Sequence, residues 1–426
     1  MNQVEAIVRR HRGGDTVGIT SVCSAHPLVL RASMRQALED GSVLLIEATS
    51  NQVDQFGGYT GLTPEQFRDQ VLGFADEESF PRDRLVLGGD HLGPNRWQRE
   101  TPDQAMPKAD DLVAAYAAAG YAKLHIDCSM RLDGDPTPLP DAVVAERAAR
   151  LIAIAEAARP TDGEPPVYVI GTEVPVPGGA HETLGALQPT SPAAARETLD
   201  AHRGALRDRG LDAVWPRVVA LVVQPGVEFD HLKVIDYDRT ATQQLQRVLD
   251  DEPDMVFEAH STDYQTRGHL TELVEDHWAV LKVGPGLTFA LREALFALAA
   301  IEGELVPAGE RSDLVTFMDE RMVADPGYWE HYYEGDAEEQ RIARRYSYSD
   351  RIRYYWASPE VEERVDRLFT NLTASGIPEP LIGQFLPKQF TRVRQGVLAP
   401  EPEALAVDAV REVLRDYAAA CGHSVG

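Results

Sequence analysis

The chain has 426 residues, of which 43% are hydrophobic and 26% charged. This is enough apolar material for a large core, so a disordered chain and a small disulfide scaffold are excluded. A formal charge of −27 at pH 7 argues against nucleic acid or an anionic membrane surface as a partner, because the summed field repels phosphate polymers. The three cysteines share no CxxC spacing, and the sequence shows neither a signal peptide nor a membrane-spanning stretch, so we expect a cytoplasmic protein.

Eight short apolar runs recur along the chain, and segments with helical periodicity separate them. The runs are VGITSVC (17–23), VLLIEAT (43–49), LVLGGD (85–90), KLHID (123–127), VYVIGTE (167–173), VVALVVQ (218–224), MVFEAH (255–260) and WAVLKV (278–283). Alternating strands and helices imply a parallel sheet, and eight such units predict a closed (β/α)8 barrel, the TIM-barrel fold. A doubly wound sheet would instead carry a glycine-rich GxGxxG turn, which the sequence lacks.

The strand and helix alternation ends near residue 305. The remaining segment has helical periodicity, with an aromatic and basic stretch, YSYSDRIRYYW (346–356), and a later LPKQF (386–390). We therefore expect a barrel over residues 1–304 and a mostly helical extension over residues 305–426, packed on the barrel.

Most of the predicted strands end in polar residues, which hydrophobic patterning does not require. In chain order these residues are Ser24 and His26; Glu47, Thr49, Ser50 and Asn51; Asp90 and His91; Asp127; Glu173; Gln224; Glu258, His260 and Asp263; and Lys282. Active sites of (β/α)8 barrels form at the carboxyl ends of the strands. The sequence therefore predicts a polar active site at that face.

His91 and His260 are the first candidates for metal ligands, because imidazole is the commonest ligand for divalent ions. A single histidine at either position would more often be structural, but both follow predicted strands. Glu173 and Gln224 could add oxygen ligands, and His26 or Glu47 could replace either of these two residues. Nitrogen and oxygen ligands favour Zn²⁺, with Mn²⁺, Ni²⁺ and Co²⁺ as alternatives.

Asp90 and Asp127 are candidate acid/base groups, with helix capping as the alternative role. Neighbouring residues of a strand point to opposite faces, so Asp90 and His91 both reach the site only if the chain turns there. Lys282 ends a predicted strand, and we expect it to face the substrate because burying an unpaired lysine is costly.

Ten motifs occur in the order of one known family. They are SVCSAHP, IEATSNQVDQFGGYTG, LGGDHLGPNRWQ, KLHIDCSM, VIGTEVPVPGG, VVQPGVEFDH, FEAHSTDYQ, LKVGPGLTFALREALFAL, SDRIRYYW and LPKQF. Together they resemble the GatZ/KbaZ family, described as the accessory subunit of class II D-tagatose-1,6-bisphosphate aldolase. The resemblance implies a class II aldolase barrel, a ketohexose or sugar-phosphate substrate and a catalytic aldolase subunit as partner; a homo-oligomer stays an open alternative.

The likeness to true class II aldolases is more distant. Asp90-His91 resembles the motif in which aspartate is the acid/base and histidine binds zinc, and His260 resembles the last zinc histidine. Asp127 and Glu173 are similar to acidic positions on strands four and five. Gln224 stands where aldolases have another ligand histidine, and STDYQ replaces the phosphate loop. The resemblance thus implies an altered metal site and a weakened phosphate cradle.

Two classes of function follow from the resemblance. The chain is either an accessory subunit without chemistry of its own, or an enzyme like the family-related C4 epimerases of tagatose and fructose or of tagaturonate and fructuronate. The complete polar mouth favours the enzyme. The expected site has three groups of residues: Asp90, Asp127 and Glu173 for catalysis; His91, His260 and Gln224 for the metal; and His26, Glu47, Ser50, Asn51, Asp263 and Lys282 for the substrate.

Overall fold

The computed structural model describes residues 1–171 and 187–424, and a closed barrel of parallel strands lies at its centre. The barrel strands are β1 (Ile19–Val22), β2 (Leu44–Thr49), β3 (Leu85–Leu92), β4 (Lys123–Ile126), β5 (Val167–Ile170), β6 (Val218–Val222), β9 (Val256–Ala259) and β10 (Val280–Val283). Around the barrel they follow the order β1-β10-β9-β6-β5-β4-β3-β2. Each coincides with one predicted strand, so the predicted (β/α)8 barrel is confirmed.

A short antiparallel hairpin, β7 (Glu228–Phe229) with β8 (Val234–Ile235), follows β6 and was not predicted. Strands of two residues are too short to show an alternating pattern in the sequence. The hairpin adds residues above the barrel between β6 and β9.

The helices alternate with the barrel strands and then continue without strands. They are α1 (Gln3–Arg12), α2 (Pro27–Asp40), α3 (Pro64–Glu77), α4 (Pro102–Ala118), α5 (Asp141–Ala158), α6 (Pro192–Asp208), α7 (Arg239–Gln246), α8 (Arg267–Glu275), α9 (Pro285–Leu305), α10 (Leu314–Ala324), α11 (Ala337–Tyr346), α12 (Pro359–Ser375), α13 (Glu379–Phe385), α14 (Pro387–Arg394) and α15 (Pro402–Ala420). Many begin with proline in the first turn, where a missing N–H costs nothing. None within the described ranges is long and apolar enough to cross a membrane.

The barrel interior is apolar only at its amino-terminal end. There, valines and other aliphatic side chains of the strands pack with Val4 and Val8 of α1, which covers that end. The larger apolar core lies between the strands and the surrounding helices. Charged side chains occupy the other half of the interior, so the fold places its polar chemistry at the carboxyl ends of the strands.

The segment after α9 packs against the barrel helices at several places. Helix α15 packs against α2, α8 and α9. A 3₁₀ helix over Arg351–Tyr355, which we call the roof helix, contacts α9 and contributes side chains to the cavity at the barrel mouth. The division of the chain at residue 304 into barrel and extension stays a prediction.

Candidate metal centre and active site

The carboxyl end of β3 brings Asp90 and His91 into the same site. His91 adopts a left-handed backbone conformation with φ of 49°, and the register between β3 and β4 shifts after Gly89. A strand with regular pleating would direct the two side chains to opposite faces. The chain then passes so close to β4 that a Cβ at Gly93 would lie 1.8 Å from the carbonyl oxygen of Asp127, which only glycine permits.

Three buried histidines surround Asp90 at the top of the barrel. The ring centroids of His91, His125 and His260 form a triangle with sides of 5.0, 5.0 and 5.2 Å. One ligand atom from each histidine and one from Asp90 all lie within 4.8 Å of one another. We call these four residues the histidine–aspartate cluster, and its spacing is suitable for one metal ion.

A hydrogen bond on the outer side of each ring determines which nitrogen carries the proton. The three bonds are His91 Nδ1 to Asp127 Oδ2 at 2.8 Å, His125 Nε2 to the Gly171 carbonyl at 3.0 Å and His260 Nε2 to Glu258 Oε1 at 3.0 Å. Each partner is an acceptor, so the bonded nitrogen carries the N–H and the other nitrogen of a neutral ring keeps a lone pair. Metal-binding histidines are oriented in the same way.

Asp90 and His125 supply a direct test of whether the cluster fits a cation. The Nδ1 of His125 lies 2.8 Å from Oδ1 of Asp90, and the backbone N–H of His91 also donates to that Nδ1 at 3.3 Å. The nitrogen therefore acts as an acceptor and faces a second acceptor. Two acceptors this close require a proton or a metal ion between them, and a divalent ion is one of the two ways to meet this requirement.

Buried charges lie below the cluster in alternating sign. Lys123 Nζ binds Glu47 and lies 2.7 Å from Glu258 Oε2. Lys282 Nζ binds Asp90 and lies 3.2 Å from Glu258 Oε1 and 3.4 Å from Glu47 Oε2. Three carboxylates and two ammonium groups leave one excess negative charge in this buried network, which favours binding of a cation.

The electrostatic field of this network sets the protonation of its members. Burial lowers the pKa of His260 to about 3, and the positive charge of Lys282 contributes, so the ring is neutral and its free nitrogen can bind a metal near neutral pH. Burial lowers the pKa of Lys282, but Asp90, Glu258 and Glu47 raise it more, so that it lies well above the ordinary lysine value. Lys282 is therefore charged.

Asp127, predicted as a catalytic group, has its oxygens engaged around the cluster. Oδ2 accepts from His91 and from Asn95 Nδ2 at 2.9 Å, while Oδ1 accepts from the backbone and hydroxyl of Ser129 at 3.1 and 2.8 Å. These contacts stabilise the charged form and hold the pKa of Asp127 below its usual range, although burial acts to raise it. The arrangement suits a group that orients His91.

Several other predicted site residues make local backbone contacts. His26 caps α2 through its Nδ1, which accepts from Leu28 N at 3.2 Å. Asp263 Oδ1 accepts from the N–H groups of Gly284 and Gly286 at 2.9 and 2.7 Å, and Asp263 lines the cavity at the barrel mouth. The Oε1 of Gln224 accepts from Gly226 N at 2.8 Å and Val227 N at 3.0 Å.

The remaining predicted residues differ in where they lie. Asn51 lines the cavity at the barrel mouth and also a second pocket beside it, which we call the lateral pocket. Ser50 lines the lateral pocket as well. Glu47 is fully buried in the charge network. Glu173 lies outside the described residues, so its role stays a prediction.

The roof helix supplies Tyr354, a residue that the sequence pattern did not assign to the site. The cavity at the barrel mouth, which we call the central cavity, is lined by Asp90, His91, His260 and Lys282 from the barrel and by Arg353 and Tyr354 from the roof helix. The sequence marked this stretch as aromatic and basic, but no period in it indicates which side chains face the barrel. Only the packing of the extension brings them to the cavity.

His125 and Lys123 were also missed, although the sequence contained a signal for them. In KLHID, Lys123, His125 and Asp127 alternate with apolar residues. Side chains two apart point to the same face of a strand, so three polar residues in this register indicate a polar barrel interior.

Comparisons with known proteins agree with this fold. A crystal structure of a probable tagatose 6 phosphate kinase from Sinorhizobium meliloti 1021 is similar to the chain, with 51% sequence identity and a TM-score of 0.88, and the match covers 95% of this chain and 100% of that one. The native crystal structure of the fructuronate-tagaturonate epimerase UxaE from Cohnella laeviribosi is 12% identical, with a TM-score of 0.50 over 96% of this chain and 82% of that one. The second likeness shows a shared fold.

A family model adds the assignment that the ten motifs predicted. The model of the D-tagatose-1,6-bisphosphate aldolase subunit GatZ/KbaZ-like family matches residues 4–422. The predicted resemblance is thereby confirmed over nearly the whole length of the sequence. The chain belongs to the GatZ/KbaZ-like family of D-tagatose-1,6-bisphosphate aldolase subunits.

Proposed function

We propose that the protein binds a divalent metal ion at the histidine–aspartate cluster and epimerises a ketohexose at C4. The observation that carries the proposal is the convergence of three imidazole nitrogens on one carboxylate, each ring held by an outer acceptor. An accessory subunit without chemistry does not need this arrangement. The three free cysteines fit a reducing, cytoplasmic location.

His91, His125 and His260 are the proposed ligands, and Asp90 lies beside them as proton acceptor. Three nitrogen ligands with further positions for oxygen favour Zn²⁺, with Mn²⁺, Co²⁺ and Ni²⁺ as alternatives. The bound ion would polarise the C2 carbonyl of the substrate and stabilise negative charge on the adjoining oxygens.

The reaction we propose is a retro-aldol cleavage followed by re-addition. Asp90 accepts the proton of the C4 hydroxyl, the C3–C4 bond breaks, and its electron pair moves towards the C2 carbonyl to give an enediolate and an aldehyde. The aldehyde turns its other face, C3 attacks it, and the new C4 alkoxide takes up a proton. Burial acts to raise the pKa of Asp90, but nearby positive charge, that of Lys282 included, holds it well below its usual range, so the carboxylate is ionised as a proton acceptor must be.

The substrate in this proposal is a ketohexose or a derivative with a single anionic group. The lateral pocket beside Asn51 contains Arg96, Arg99 and Arg351. Arg96 is already paired with Asp54, and Arg351 donates to the carbonyl of Tyr328. The charge that remains suits one phosphate or carboxylate better than two phosphates.

The proposal is tested by incubating the purified protein with tagatose and fructose, free and phosphorylated, with Zn²⁺ or Mn²⁺, and separating the products by chromatography. We expect the C4 epimer to form and a chelator to stop the reaction. Release of triose without epimer would identify an aldolase instead. If the protein alone turns over no ketose but raises the stability or the turnover of an added class II aldolase, it is an accessory subunit.

Asp127, which accepts a hydrogen bond from His91 of the cluster, allows a prediction about metal affinity. Asp127→Asn replaces an acceptor of His91 Nδ1–H by a group that cannot accept all four hydrogen bonds, so the ring loses its fixed tautomer. We expect metal affinity to fall by about 10- to 100-fold, measured by competition with a chromophoric chelator. Asp110→Asn is the matched control, because Asp110 pairs with Arg150 between α4 and α5. Equal affinity of the two variants would contradict the proposed tautomer.

A further inference from the structure

Inversion at C4 places a geometric demand on the site, if the proposed function holds. If C1 to C3 and the C5–C6 end of the sugar all stay in place, the two epimers exchange the positions of the C4 hydrogen and the C4 oxygen, so the oxygen lies on opposite sides of C4. One fixed acid/base group cannot reach both positions at hydrogen-bond distance. A second proton-transfer group must therefore lie elsewhere in the same cavity.

Tyr354 of the roof helix meets this demand. It lines the central cavity together with Asp90, but it comes from the extension and not from a barrel strand. Its hydroxyl oxygen accepts a hydrogen bond from Arg353 Nη2 at 2.9 Å. That contact uses an acceptor site and leaves the phenol O–H available as a donor to a substrate oxygen.

The surrounding contacts hold the Tyr354 ring in place. Tyr328 stacks on it with centroids 4.9 Å apart and an angle of 9°, and Tyr59 packs against its edge at 4.9 Å. At the start of the roof helix, Asp350 accepts from Thr288 Oγ1 of α9 at 2.5 Å. A proton donor fixed in this way loses little entropy when the substrate binds.

The charges near Tyr354 favour proton transfer. Burial acts to raise the pKa of its phenol, but the positive charges of Arg353 and Arg351 outweigh burial and lower it below the ordinary tyrosine value. Tyr59 and Tyr328, which face it from other segments, are neutral phenols whose own pKa values are raised. A donor whose pKa lies closer to the working pH transfers its proton more readily.

We propose that Tyr354 is the second catalytic residue of the epimerisation, which gives a proton to the C4 oxygen of one epimer and takes it back in the reverse direction. Asp90 performs the same exchange for the other epimer. In the direction where Tyr354 donates, Asp90 has taken the C4 hydroxyl proton of the first epimer, the phenol O–H bond then breaks and the new O4–H bond forms. Arg353 and Arg351 stabilise the phenolate until Asp90 releases its proton to solvent and Tyr354 takes one up.

Tyr354→Phe tests this role, and Tyr355→Phe is the matched control. Tyr355 is the next residue of the roof helix, but its hydroxyl donates to the Asp325 carbonyl inside the extension. We expect kcat of Tyr354→Phe to fall by about 100-fold or more, as for loss of a general acid, with little change in KM or metal content. In the direction where Tyr354 donates, wild-type kcat falls as pH rises through the phenol pKa, and this limb disappears in the variant.

The possible results separate this inference from the proposed function. Active wild type with a Tyr354→Phe variant that keeps its kcat and pH profile overturns the inference alone. A smaller kcat with an unchanged pH profile and the same loss of Tm as Tyr355→Phe also overturns it, because that pattern indicates a structural role. Wild type that turns over no ketose overturns the proposed function and the inference with it.

Discussion

His125→Ala is expected to lower kcat for epimerisation by about 1,000-fold and to remove the bound metal. The variant deletes one of the three proposed nitrogen ligands, the ring that faces Asp90 at 2.8 Å. Stabilisation of transition-state charge by a metal is worth several kcal/mol, and about 4 kcal/mol corresponds to about 1,000-fold in rate. The measurement pairs steady-state kinetics with elemental analysis of the dialysed protein.

His277→Asn is the matched control for this experiment. His277 is a partly buried histidine whose Nδ1 lies 2.9 Å from His11 Nε2, and its φ of 78° suits asparagine. The control should keep its metal and its kcat. Stoichiometric metal in the His125→Ala protein, with unchanged turnover, would disprove the assignment of His125 as a ligand.

Lys123→Met is expected to lower the free energy of unfolding by about 3–5 kcal/mol, the usual loss when one partner of a buried ion pair is removed. Lys123 is fully buried between Glu47 and Glu258. Without it, Lys282 remains as the only cation of the network beside three carboxylates. Denaturant unfolding of the metal-free protein, followed by circular dichroism, measures the change.

Lys108→Met is the control for stability. Lys108 pairs with Glu100 on the surface at 2.6 Å, with 37% of its side chain exposed, and exposed pairs contribute less than about 1 kcal/mol. The double variant Lys123→Met/Glu47→Gln should recover part of the loss, because it removes one unpaired charge. A loss in Lys123→Met no larger than in Lys108→Met would show that the buried charges are not coupled.

Part of the site could be predicted because the ends of strands can be recognised from the order of apolar and polar residues in the sequence. Asp90, His91 and His260 follow apolar runs, and the barrel brings them into one cavity. His125, the proposed nitrogen ligand on β4, was not predicted because KLHI was interpreted only as the apolar part of a strand. Gln224 was predicted as an oxygen ligand because it follows a predicted strand, and this role stays a prediction. In the structure its Oε1 accepts from two backbone N–H groups, a contact that depends on the conformation of the turn.

The sequence by itself determined the eight strands, their order and the face at which polar residues collect, because hydrophobic periodicity and chain direction are local properties. Only the tertiary structure decided three features: which nitrogen of each histidine carries the proton, the charge network below the histidines, and the position of Tyr354 at the central cavity. These features depend on distances between residues far apart in the chain, such as the 2.8 Å between His91 and Asp127. Hydrogen bonding and buried charge act over a few ångströms, and only the closed barrel and its packed extension set those separations.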